Sequence, residues 1–141
     1  MMRSHRPAVV LLAALLLAAA PAATAQDGGG DRVLTADELA ALVDGGAAWD
    51  FRAPGSTGTQ TFTPGGGARI TWTRRDGSGG GDSAGAWRRD GNALCTRWDA
   101  IGQGRETCVH FYRFGTGVYR TLDARTGDDR AVLMPPGTPQ D

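Results

Sequence analysis

Lysine is absent. All 15 basic side chains are arginine, and 15 acidic residues balance them to a formal net charge of zero. A chain with no excess of either sign has no general electrostatic reason to bind nucleic acid. Cysteine is scarce as well: Cys95 and Cys108 are the only two. They form neither C-x-x-C nor C-x-x-C-H, which argues against a thioredoxin-like redox centre and covalent haem. Even together with His110 they fall short of the ligand set of a zinc site. Histidine is nearly as rare, with His110 the only one outside the first few residues. Long apolar runs are limited to "AVVLLAALLLAAA", Ala8 to Ala20, which is short for a membrane-spanning helix.

That run sits where an export signal belongs. Arg3 and Arg6 precede it, and the A-x-A triplet Ala23–Ala25 follows, so residues 1–25 read as a cleavable signal peptide. No lipobox cysteine follows the apolar core, so no lipid anchor is expected, and no stable membrane insertion after cleavage. A periplasmic or secreted location follows. In such a compartment two cysteines are most simply a disulfide. Beyond the signal, residues 26–33 read as a flexible lead-in, 34–133 as a single β-rich domain and 134–141 as a disordered tail. High Ala, Gly and Arg without Lys suggests a GC-rich bacterial genome.

The first element is helical. Thr35 and Glu38 stand at capping-box spacing, with Leu34 and Leu39 at the positions of a hydrophobic staple. Leu39, Leu42 and Val43 make one apolar stripe, and Gly45 is the expected stop. The pattern predicts a helix over Ala36–Asp44 that must dock on something, since it is short for independent stability.

After Gly46 the period changes to two. Trp49 pairs with Phe51, Ile70 with Trp72, and Leu94 with Thr96 and Trp98, each set on one face of a strand. Turn chemistry separates the runs: "TPGGG", "RRDGSGGGDS", "RDGN", "IGQG", "FGTG" and "RTGDD". The fold class is mainly β (α+β): an antiparallel meander of about eight short strands, closed or nearly closed into a barrel, with the helix over an opening or edge. In a hairpin that sets Cys95 opposite Cys108, Leu94 faces Val109 and Thr96 faces Thr107. Both cysteines then project from the same face, as a cross-strand bridge requires.

No catalytic residue and no cofactor is assigned. "GDSAG", Gly81 to Gly85, matches the G-x-S-x-G nucleophile pattern, but a Gly-rich loop precedes it and a strand-like run follows, where an elbow needs a strand and then a helix. Ser83 is therefore read as part of a flexible hairpin loop. "DGSGGGD", Asp76 to Asp82, lacks the alternating oxygen ligands of a calcium loop, so no metal site is expected. His110 reads as a surface histidine beside the disulfide. Arg69, Arg74, Arg75, Arg88, Arg89 and Arg97 read as a solvated outer face, with Trp72, Trp87 and Trp98 turned to a common interior. A single-strand stacking platform made from the two sets is disfavoured by the charge balance. No helix follows the glycines of "GQG" or "GTG", so neither cradles phosphate.

The patterns "LTADEL", "TFTPG", Gly85 to Trp98 and "ETCVHFYRFGTGVY" resemble those of small secreted proteobacterial proteins of unknown function with a single-disulfide β-barrel-like domain. The resemblance implies a barrel-like fold with one disulfide; it brings no activity and no catalytic residues. The long "RRDGSGGGDS" segment departs from it.

These observations favour a non-enzymatic exported module over an enzyme. One version binds a small apolar ligand inside the barrel, as calycin-like barrels do, with Trp72, Trp87, Trp98 and Phe111 facing the ligand or the core. The alternative is an interaction protein, such as an inhibitor of an exported hydrolase or envelope protein. A hollow barrel would favour the first; a filled barrel with an exposed apolar patch would favour the second.

Overall fold

The structure, a computed structural model, describes residues 32–140. The signal-peptide reading and most of the proposed lead-in lie outside the described residues. Arg32–Val33 (β1) is followed by the helix Ala36–Val43 (α1). Then come eight strands: Ala47–Ala53 (β2), Ser56–Thr63 (β3), Gly67–Arg74 (β4), Gly80–Asp90 (β5), Ala93–Trp98 (β6), Glu106–Gly115 (β7), Val118–Asp123 (β8) and Asp129–Met134 (β9).

Each of these eight pairs antiparallel with the next, and β9 pairs back onto β2. The result is a closed up-and-down barrel. Closure leaves its strands no edge to offer to another chain. β1 is an addition. Val33 pairs with Tyr112 and Arg32 with Arg113, beyond the part of β7 that pairs with β6. Arg32 and Val33 are thus a strand rather than the end of a flexible lead-in. At the other terminus, Met134 belongs to β9, and Gly137 donates its N–H to the buried Asp50 carboxylate at 2.7 Å. That hydrogen bond ties the tail to β2 at Gly137.

The helix is a plug. Thr35 accepts the Glu38 N–H and Glu38 accepts the Thr35 N–H, so the capping box is complete. Leu34, Leu39 and Val43 are fully buried against Trp49, Phe62, Leu94, Phe111 and Tyr119. Trp49 is the centre of this end of the core, edge-on to Phe62, Phe111 and Tyr119 at 5.6–6.5 Å, in the arrangement that aromatic quadrupoles prefer. Asp44 is the C-cap, and its carboxylate takes two hydrogen bonds from Arg89 of β5. Gly46, at φ +92°, turns the chain into β2. The left-handed residue is thus Gly46 and not Gly45.

The wall follows strict alternation. Cys95 and Cys108 are register partners with Cα atoms 3.9 Å apart and are joined in a disulfide. Leu94 faces Val109 and Thr96 faces Thr107. The cysteines project outward while Leu94 and Phe111 point inward. A bidentate Arg88–Glu106 pair runs from β5 to β7, bridging the strand that carries Cys95.

β5 begins at Gly80, so "GDSAG" is strand and not loop. Its inner face reads Gly81, Ser83, Gly85. The missing side chains give room to neighbouring rings. A Cβ at position 81 would lie 2.8 Å from Trp72 of β4, and one at position 85 would lie 2.6 Å from Trp98 of β6. The motif is a packing solution for two tryptophans.

Candidate functional site

The barrel is filled at the helix end and hollow at the other. A cavity of about 600 Å³ occupies the half that opens between the β2–β3, β4–β5, β6–β7 and β8–β9 turns. Its inner end is made of Phe51, Phe62, Ile70, Leu94, Phe111 and Leu133, all buried. Trp72, Trp98, Val109 and Ala131 form apolar walls, and Gln60, Thr96, Thr107 and Thr121 add polar groups. Ser56, Arg74, Ile101 and Arg130 stand at the mouth. An eight-stranded barrel has an interior wide enough to be filled by side chains or to hold one small ligand. Here the rings of Trp49, Phe62, Phe111 and Tyr119 and the docked helix fill one end. Toward the mouth Trp72 and Trp98 form walls, and the other inward positions fall to Ala53, Ser56, Thr107 and Ala131, which leaves the space.

Of the aromatic residues predicted to face a common interior, Trp72, Trp98 and Phe111 line the cavity. Trp87 lies elsewhere. Its indole N–H donates to the Thr63 carbonyl at 2.9 Å, and its ring packs edge-on against Phe62. It seals the wall near the β3–β4 turn and does not reach the cavity.

Ser83 is buried. Its hydroxyl donates to the Ala84 carbonyl at 2.8 Å and accepts the Ala100 N–H at 3.0 Å. Asp99 adds a backbone bond to Ala84 at 2.9 Å. The serine thus moors the β6–β7 loop, which brings Ile101 and Gly102 to the mouth. It points inward, whereas His110 projects from the outer face of β7, its Nδ1 beside the Asn92 carbonyl at 3.3 Å. The wall separates the two, so they form no nucleophile–base pair. Cys95, Glu106 and Cys108 gather on the outer face, but both sulfurs are taken up by the disulfide. Asp76 and Asp82 serve local structure, one accepting the Ser78 N–H and the other facing Arg69.

Two mouth residues were misplaced or missed by the sequence reading. Arg74 was assigned to the outer face, yet it shares the parity of Ile70 and Trp72 and lines the cavity. Arg130 is the stranger case. Ala131 and Leu133 point inward, so alternation sends Arg130 outward. The β8–β9 register shifts here: Thr121 pairs with Ala131 but Leu122 with Asp129. Arg130 is the extra residue of a bulge, and bulges re-aim side chains. Its guanidinium donates through Nε and Nη2 to Asp123. Asp123 also accepts the N–H groups of Thr126 and Arg125. Bonding to Arg130, then to those two amides, holds its carboxyl well below the usual carboxylate range.

The chain matches no family model, no curated protein sequence and no solved structure.

Proposed function

We propose that this protein is an exported, non-enzymatic module that holds a small apolar ligand inside its barrel. The observation that carries the reading is the cavity of about 600 Å³, apolar at its inner end and open at the mouth. Its size falls in the range of small-molecule sites, and its few polar groups near the opening are the usual complement of such a site. Export is supported by the Arg3/Arg6, Ala8–Ala20 and Ala23–Ala25 pattern and by the disulfide. The resemblance to small secreted single-disulfide proteins points the same way. The competing reading, an inhibitor that presents a surface to an exported hydrolase, has less support. Among the described residues the exposed large hydrophobics are Val33 and Phe114, too few for a broad apolar patch.

The test is a tryptophan-fluorescence titration of the mature protein with 1-dodecanol, beside an Ala131→Phe variant that plugs the cavity. Saturable binding to the wild type, and its loss in a folded Ala131→Phe protein, is the expected outcome. No saturable change in the wild type, or equal binding by the plugged variant, would refute the reading.

A further inference from the structure

The ionisable residues that line the cavity are Arg74 and Arg130, and no carboxylate lines it. This bias is local. The whole chain is charge-balanced, and acids are plentiful in the surrounding loops. The two arginines reach the mouth by different routes, one by regular alternation on β4 and one through the β9 bulge.

Their charges are not equally compensated. Arg130 is matched by Asp123, yet it uses only Nε and Nη2, so Nη1 remains available. Arg74 makes no side-chain hydrogen bond or salt bridge among the described residues. It interacts electrostatically with Asp76, whose carboxylate also accepts the Ser78 N–H. The mouth therefore presents two guanidinium groups with N–H donors to spare above an apolar interior. Guanidinium donors are suited to planar oxyanions.

The depth is also defined. Ile70 to Arg74 rises about 13 Å along β4, or roughly 10 Å along the barrel axis at the usual strand tilt. That accommodates a short acyl tail in extended form, or a dodecyl tail with bends, beneath a head group at the arginines.

Building on the ligand-binding reading above, we infer that the ligand is a single-chain amphipathic monoanion of the fatty-carboxylate type. Its tail lies between Trp72 and Trp98 and its head is held by Arg74 and Arg130. Arg130 is fixed by Asp123, so one of the two donors is pre-organised and little entropy is lost on binding.

Calorimetry with dodecanoate and dodecyltrimethylammonium below their micelle concentrations, and with 1-dodecanol below its solubility limit, tests this. Wild type, Arg74→Gln and Arg130→Lys are compared, with circular dichroism and melting temperature confirming the fold of each. Arg74 is exposed and unbonded, so its replacement leaves the barrel intact. Lysine at 130 keeps a cation for Asp123 but loses the planar fork that holds Asp123 on one edge and offers Nη1 on another. The wild type is expected to prefer dodecanoate over dodecanol by about tenfold or more, as one charge-assisted contact supplies. Arg74→Gln should bring the preference close to unity and Arg130→Lys should reduce it, the lost affinity falling mainly on dodecanoate. Equal binding of dodecanoate and dodecanol, a preference for the cation, or a carboxylate preference untouched by both variants would overturn the inference while leaving the ligand cavity standing. Failure of all three probes to bind the wild type would overturn the cavity reading and this inference with it.

Discussion

The ring of Trp98 occupies the space where a side chain at residue 85 would stand. Gly85 and Trp98 are register partners on β5 and β6, and a Cβ on Gly85 would meet the indole Cε3 at 2.6 Å and the Arg97 carbonyl oxygen closer still. Real Cβ contacts are not this short, so Gly85→Ala must push either the ring or the strand. Overpacking of this kind typically costs about 1–3 kcal/mol. Urea denaturation should show a lowered midpoint, together with altered tryptophan emission as Trp98 is displaced. An unchanged midpoint would mean that the inner face of β5 is not packed as described.

Ser83→Ala should leave the barrel folded but free the β6–β7 loop. The Ala100 N–H would lose its acceptor, and the mooring of Ile101 at the mouth would weaken. A loss of about 1 kcal/mol in stability is expected for one buried hydrogen bond. Hydrogen exchange at Ala100 should quicken while that of Leu94 in β6 stays slow. Uniform acceleration across β5 and β6 would place the serine's role in the wall instead.

The disulfide closes a sequence separation of 13 residues. The chain-entropy estimate for such a loop is about 3 kcal/mol. The Cys95→Ala, Cys108→Ala double variant should fold with lower stability and keep its cavity, since both sulfurs lie on the outer face. Loss of ligand binding in a folded double variant would contradict that placement.

Acid should destabilise the fold in a defined direction. Arg32, then the Thr35 N–H, lowers the Glu38 carboxyl to about 2, and Arg88 holds Glu106 below its ordinary value. Asp123 is depressed as well. A carboxylate with a depressed folded-state pKa contributes stability that is present above its unfolded value, near 4, and is lost as pH falls through the folded value. The melting temperature should therefore be insensitive to these groups above about pH 5 and fall progressively below about pH 4. Arg130→Gln should flatten the part of that fall due to Asp123. A melting temperature that rises on acidification would contradict the assignment.

Legibility in the sequence followed how local each determinant is. The capping box at Thr35 and Glu38, the Leu39/Val43 stripe and the period-two strands are encoded within a few residues, and each appears where the pattern puts it. Register was legible at the hairpin, where aligning Cys95 with Cys108 fixes Leu94 on Val109. What escaped depends on neighbours distant in the chain. "GDSAG" looked like a loop because glycine usually breaks strands, and only the rings of Trp72 and Trp98 explain it. Arg74 could have been found, since it continues the alternation of Ile70 and Trp72. Arg130 could not, because a bulge reverses its face without a local mark. Trp87 shares the inward parity of its strand, yet its indole N–H found the Thr63 carbonyl and took the ring away from the cavity.

The most direct measurement is isotope-filtered NMR of the mature protein saturated with 1-dodecanol. Intermolecular contacts from the ligand chain to Trp72, Trp98, Val109 and Leu133 are predicted, with none to Arg88, Cys95 or His110 on the outer wall. Contacts confined to the outer wall, or none to the inward-facing residues at saturation, would contradict the account.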